Sequence, residues 1–218
     1  DIVSITDVGK MHDSFETASA LRDYGETPIV NIAINDRSED ELRPYFEQAR
    51  RESTDIVIVA GNRWNRTLKP TDMIKLASEY GLNVGAVINT NAGDPTQETE
   101  LAVKKVISGA GFFLTQPVWG YVSADIFREG IYRALDEHIG RDLPIDIYWG
   151  IFPAKDLEGV ARLSKSLDGV CVPQYILDMS RNGTNGVEIS RGLFQEFRSN
   201  RESVYVTGMR YDTIRKIV

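Results

Sequence analysis

The chain has 218 residues, of which 42% are hydrophobic and 26% charged, and carries a formal net charge of −7. That length suits one domain spanning 1–218, and the negative balance argues against nucleic acid or an anionic membrane as a main partner. No apolar run approaches the roughly 18 residues of a membrane span, the chain opens on a strand-like DIVSIT rather than a signal peptide, and one cysteine, Cys171, excludes an internal disulfide and suits a reducing cytoplasm.

Short runs rich in Val and Ile predict strands at Ile2–Thr6, Ile29–Ile34, Ile56–Ala60, Val84–Ile88, Phe112–Thr115, Ile145–Trp149 and Val204–Thr207. Helix-like segments alternate with most of them, at Ser14–Tyr24, Ser38–Glu52, Pro70–Tyr80, Pro95–Ser108, Ala124–His138, Asp156–Ser166 and Glu188–Asn200. Ser38 with Glu41 three residues later is one start signal. The stretch from Asp94 to Pro117 is marked most fully. Asp94 can cap a helix, Pro95 suits its first position, Gln97 stands three after Asp94, and Gly109 offers a left-handed stop. Gly111 to Leu114 then runs apolar without alternation, as a parallel strand buried on both faces does. Val172 to Val187 reads as a long loop, or a short helix plus loop.

Repeated βα units close into a barrel or open into a doubly wound sheet. The barrel is favoured by where polar residues fall. Predicted strand ends read Thr6-Asp7, Asn31 to Asp36, Gly61-Asn62-Arg63, Asn89-Thr90-Asn91, Thr115-Gln116 and Thr207-Gly208, and barrel sites are built at those ends. Seven strands are one short of the eight of a (βα)8 TIM barrel, so the first strand is expected to be missing from this sequence.

Among candidate site residues, Gln116 carries a carbonyl beside an amide NH2 and can read a heterocycle presenting a donor beside an acceptor. Trp119, Tyr121 and Trp149 can stack on flat rings or simply pack. Lys104 and Lys105 can reach a phosphate, or lie on an exposed face with Glu100 paired to Lys104. Gly61-Asn62-Arg63-Trp64 allows close backbone approach to a ligand without matching a dinucleotide fingerprint or P-loop. Cys171, between Val170 and Val172, is expected to be a buried, inert thiol. His12 and His138 lack metal-type spacing and are expected at surface or helix-end positions, and no metal is predicted.

The run KKVISGAGFFLTQPVW, followed by LPIDIYWGIFP and VYVTGM, resembles the methylenetetrahydrofolate reductase family, with DIVSIT and DIVIVAGN similar to its V-S-V-T and L-A-L-R-G-D strands. The resemblance implies a βα barrel that binds FAD and passes a hydride from NAD(P)H, through the flavin, to a folate one-carbon carrier. FMN, or no flavin, stays open. By the same resemblance Thr6 helps hold the flavin, Lys105 lies near the cofactor phosphates and Gln116 contacts the pterin; Asn31, Asn62, Asn89 and Lys104 are further cofactor-binding candidates, and Tyr121 is a further substrate-binding candidate. Asn31 stands where the family has His, and Ala60 where it often has Arg. Asn62 stands where it has the Asp that stabilises cationic character in the folate, so Asn62 is the catalytic candidate with the charge removed. The family's general-acid Glu belongs to the strand before Asp1. The leading expectation is a flavin-dependent oxidoreductase acting on a folate one-carbon carrier; the alternative is a barrel that binds a folate or related pterin without reducing it, as a subunit or methyl-transfer partner, and a homo-oligomer or a partner subunit is expected with either.

Overall fold

A computed structural model describes residues 2–6, 11–60, 68–91, 93–140, 145–153, 156–163 and 171–206. Seven strands form one sheet in sequence order: β1 (Ile2–Thr6), β2 (Thr27–Ala33), β3 (Asp55–Val59), β4 (Val84–Ile88), β5 (Phe112–Pro117), β6 (Asp146–Ile151) and β7 (Ser203–Val206). Every neighbouring pair is parallel, and β1 approaches β7, so the sheet is a nearly closed barrel. Among the described residues this is the (βα)8 architecture with seven of its eight strands.

Helices α1 (Met11–Asp23), α2 (Glu39–Arg51), α3 (Pro70–Glu79), α4 (Pro95–Ile107) and α5 (Tyr121–Ile139) each follow one strand. Between β6 and β7 lie three: α6 (Leu157–Leu163), α7 (Gln174–Arg181) and α8 (Gly186–Ser199). Local chemistry sets several boundaries. Ser38 and Glu41 close a reciprocal capping box at α2, and the Asp94 carboxylate accepts from the amides of Thr96 and Gln97 at α4. Gly109, at φ 109°, turns the chain out of α4 towards β5. α5 starts at Tyr121, earlier than Ala124, because Gly120 is its N-cap residue; α7 resolves the Val172 to Val187 stretch as a helix plus loop.

Strands buried on both faces need two apolar layers, and the chain supplies both. The outer layer, between sheet and helices, includes Ile32, Phe46, Ile56, Ile58, Ile74, Phe113 and Phe197. The inner layer is small: Ile29, Val57, Phe112, Leu114 and Tyr205, with Val59, Val87 and Tyr148 against them. Two glycine–aromatic pairs fill it. Gly85 is the register partner of Phe112, and a Cβ there would sit 2.3 Å from the ring; Gly150 is the register partner of Tyr205, and a Cβ there would meet the Tyr205 oxygen at 3.0 Å. Each ring occupies the volume its neighbour's missing side chain leaves. Phe112 meets Tyr148 edge-on, with centroids 5.8 Å apart, low in the barrel, whereas Tyr205 lies higher, against the cavity at the strand ends.

Candidate functional site at the barrel mouth

The site begins with an irregularity in β5. Phe112, Phe113 and Leu114 pair with Asp146, Ile147 and Tyr148, but the next pair is Pro117 with Gly150. Three steps on β5 therefore face two on β6, which is a β-bulge at Thr115 and Gln116. A bulge leaves backbone groups off the ladder, and these are satisfied locally. The Thr115 hydroxyl accepts from the Gly150 amide at 2.9 Å, and the Thr115 carbonyl accepts from the Tyr205 hydroxyl at 2.5 Å. The ladder resumes where the Val118 amide donates to the Gly150 carbonyl at 2.9 Å. Alternation along β5 turns Leu114 and Gln116 inward with Phe112, and at the bulge Thr115, which strict alternation would send outward, lines the same cavity.

That cavity, about 240 Å³, is floored by Val59, Val87 and Leu114 and carries the polar groups of Asn31, Thr115, Gln116 and Tyr205. None of its lining side chains is ionised at neutral pH: burial pushes the Tyr205 phenol far above its ordinary value of 10.0, so it stays a neutral O–H donor. Asn31 donates through Nδ2 to the Ser4 hydroxyl at 3.0 Å, while its Oδ1 is buried with no partner. Such an atom costs about 1–3 kcal/mol unless something donates to it. The Gln116 side chain likewise makes no hydrogen bond among the described residues. Two amides with spare capacity thus face one small space from strands on different sides of the barrel, the arrangement of a ligand site with few polar anchors on apolar walls.

The other candidates fall elsewhere. Lys105 turns inward between α4 and β4: its Nζ donates to the Val87 carbonyl at 2.8 Å and lies 3.5 Å from the Glu98 carboxylate, with its side chain 13% exposed. Burial lowers its pKa, opposed by the attraction of Glu98. Lys104 is exposed on α4. Neither lysine lines this cavity. Asn89 organises the β4–α4 turn, its Oδ1 accepting from the Asn91 amide at 3.0 Å and its own amide donating to Glu98 at 3.0 Å. Asn91 in turn donates to the Pro117 carbonyl at 2.9 Å, tying this turn to the end of β5. Tyr121 meets Phe197 edge-on at 5.3 Å and lines an outer groove between α5, α7 and α8 rather than the mouth. Trp119 lines the same groove, and Trp149 is packed in the outer core, donating to Glu202 at 3.0 Å.

Cys171 is exposed, correcting the expectation of a buried thiol; the alternation that buries Val172 turns its neighbour outward. His138 is exposed in the last turn of α5. Thr6 pairs in register with Asn31 through its backbone, and its side chain lies outside the described structure, as do the side chain of His12, all of Asn62 and the rest of Gly61 to Trp64, and Thr207-Gly208. Among the described residues no group of three or more His, Cys, Asp or Glu is placed to hold a metal ion, and no helix is long and apolar enough to cross a membrane. Sequence reasoning missed Ser4, Gly150 and Tyr205; only the strand alternation in VYV carried a signal for the last. Of the two lysines expected near the FAD phosphates, Lys105 is engaged within the fold and Lys104 is exposed.

No family model matches the chain, and no curated protein matches it either. Among solved structures, it is similar over its whole length to 80% of an uncharacterized protein from Clostridium thermocellum that binds two copies of 5-methyl-5,6,7,8-tetrahydrofolic acid, at 18% identity and a TM-score of 0.69. A mutant of FabK from Thermotoga maritima shares 18% identity over 76% of this chain and 49% of that one, at a TM-score of 0.42. At 18% identity, the first likeness establishes that the two chains share a fold.

Proposed function

We propose that this barrel binds the pterin ring of a folate at its mouth, with Gln116 as the principal reader of the ring edge. The observation that carries this is the pair of under-used amides, Asn31 and Gln116, in one uncharged cavity of about 240 Å³. A pterin is flat, neutral and edged with alternating donors and acceptors, so it can meet an amide on each side while its faces rest on Val59, Val87 and Leu114. The Clostridium thermocellum protein of the same fold, with its two bound methyltetrahydrofolates, supports the same ligand class.

Between binding and flavin-dependent reduction, the residues favour binding. The amide of Asn62 replaces a carboxylate in the resemblance, and Lys105, expected at the cofactor phosphates, is engaged by Val87 and Glu98. Titration calorimetry of the purified protein with 5-methyl-5,6,7,8-tetrahydrofolate tests the proposal, paired with a visible absorption spectrum before and after incubation with FAD. Saturable pterin binding by colourless protein supports the binding role. A bound flavin bleached by NAD(P)H and reoxidised by methylenetetrahydrofolate establishes the reductase instead, and no heat of binding with any folate removes both.

A further inference from the structure

The orphan oxygen of Asn31 bears on which folates fit, and the argument rests on the pterin-binding reading above. Asn31 is on β2 and Gln116 on β5, with β3 and β4 between them in the sheet, so the two amides face the cavity from separate sides. A ring whose N3–H and C4 carbonyl are read by Gln116 presents the diagonally opposite edge, C7 and N8, towards Asn31. The amide of Asn31 is oriented by its Nδ2 donating to Ser4, which leaves Oδ1, an acceptor, for the ligand. In a fully oxidised pterin N5 and N8 are both acceptors. The N8 lone pair then meets the lone pairs of Oδ1, and a buried acceptor stays unsatisfied. In the tetrahydro ring N8 bears a hydrogen and can donate.

We infer that Asn31, held by Ser4, is the residue that selects reduced over oxidised pterins, by accepting a hydrogen bond from the N8–H of a tetrahydro ring. A site built around a specific hydrogen bond rejects an analogue lacking the partner far more strongly than an apolar site does, and one unmet buried acceptor corresponds to about tenfold or more in affinity.

The test compares dissociation constants for 5-methyl-5,6,7,8-tetrahydrofolate and folic acid in the wild type, Asn31→Leu and Asn31→Asp. The wild type is expected to prefer the reduced ligand by about tenfold or more. Asn31→Leu, close in size and without an acceptor, is expected to bring the ratio to about one, and Asn31→Asp, which keeps acceptor oxygens, to preserve it. Ser4→Ala supplies a milder check should Asn31→Leu fail to fold: freeing the amide to rotate and offer NH2 instead is expected to shrink the ratio. Equal wild-type affinities for the two folates, or a preference that survives both Asn31→Leu and Ser4→Ala, overturn the inference while leaving pterin binding intact. Binding of neither folate by the wild type removes the reading beneath it.

Discussion

Tyr205 on β7 donates its hydroxyl to the carbonyl oxygen of Thr115 on β5, 2.5 Å away, across the backbone of Gly150 on the strand between them. The bond joins strands that are not neighbours in the sheet. It satisfies a carbonyl at the bulge, next to Gln116, which shares the inward face of β5 with Phe112 and Leu114 and lines the cavity. Gly150 is required at this crossing because a Cβ would lie 2.9 Å from the Thr115 oxygen and 3.0 Å from that of Tyr205. Neither obstacle is the loose end of a flexible chain.

Tyr205→Phe should therefore destabilise the barrel by about 1–3 kcal/mol, the cost of leaving a buried acceptor unpaired. Gly150→Ala should cost more than Tyr205→Phe, since it displaces both the ring and the bulge. Urea unfolding followed by circular dichroism measures both. A Gly150→Ala protein as stable as the wild type would show that the crossing is not as tight as described.

The same phenol gives a pH dependence of known sign. Burial raises the Tyr205 pKa well above 10.0, so the folded state keeps its proton where the unfolded chain has lost it. Below pH 10 both states are protonated and the contribution to stability is complete. As pH rises past 10 the unfolded state ionises first and stability falls, by up to about 1.4 kcal/mol per pH unit from this group. The difference in unfolding free energy between wild type and Tyr205→Phe should accordingly be flat from neutral pH to about 9.5 and then shrink. A flat difference up to pH 11 would contradict the burial of this hydroxyl.

Gln116 makes no hydrogen bond among the described residues, which separates its effect on binding from its effect on folding. Gln116→Ala should weaken folate binding by about 1–3 kcal/mol, as ligand groups lose their partner. Its urea midpoint should stay near that of the wild type. Gln116→Glu should be milder wherever the ring edge offers donors to it. An unaltered dissociation constant for Gln116→Ala would move the pterin away from β5.

How far the sequence reveals this arrangement depends on the range of each signal. Strand runs and the α2 and α4 caps are local, and the sequence locates them within a few residues: Ser38 with Glu41 and Asp94 with Pro95 act where they stand. The polar residues at the ends of β2 and β5 also point to the mouth, and Asn31 and Gln116 do meet there. The bulge is not legible, because it is a mismatch of register between two strands and neither strand shows it alone. Tyr205 and Gly150 are 55 positions apart by their numbers and complementary only once β6 and β7 pair. Lys105 shows a different limit. The sequence gives its helix but not the carbonyl it will find, and Val87 becomes that partner only when α4 packs on β4.

Lys105 separates the fold's own chemistry from the borrowed expectation. Its ammonium donates to Val87 and faces Glu98, whose carboxylate also accepts from the Asn89 amide, so the three residues fasten α4 to the end of β4. Removing the ammonium leaves a largely buried carboxylate without its counter-charge and a carbonyl without that donor. Lys105→Met, similar in length, should destabilise the protein by about 1–3 kcal/mol. Because burial lowers the lysine pKa, the wild type gains stability as pH rises through the interval between the folded value and 10.5, where the unfolded chain holds more protons; Lys105→Met should lack that gain. Folate affinity should change by less than about twofold, well under the cost of a lost ligand contact. The opposite pattern, unchanged stability with lost binding of a phosphate-bearing cofactor, would return Lys105 to the role the family resemblance assigns it and reopen the flavin reading.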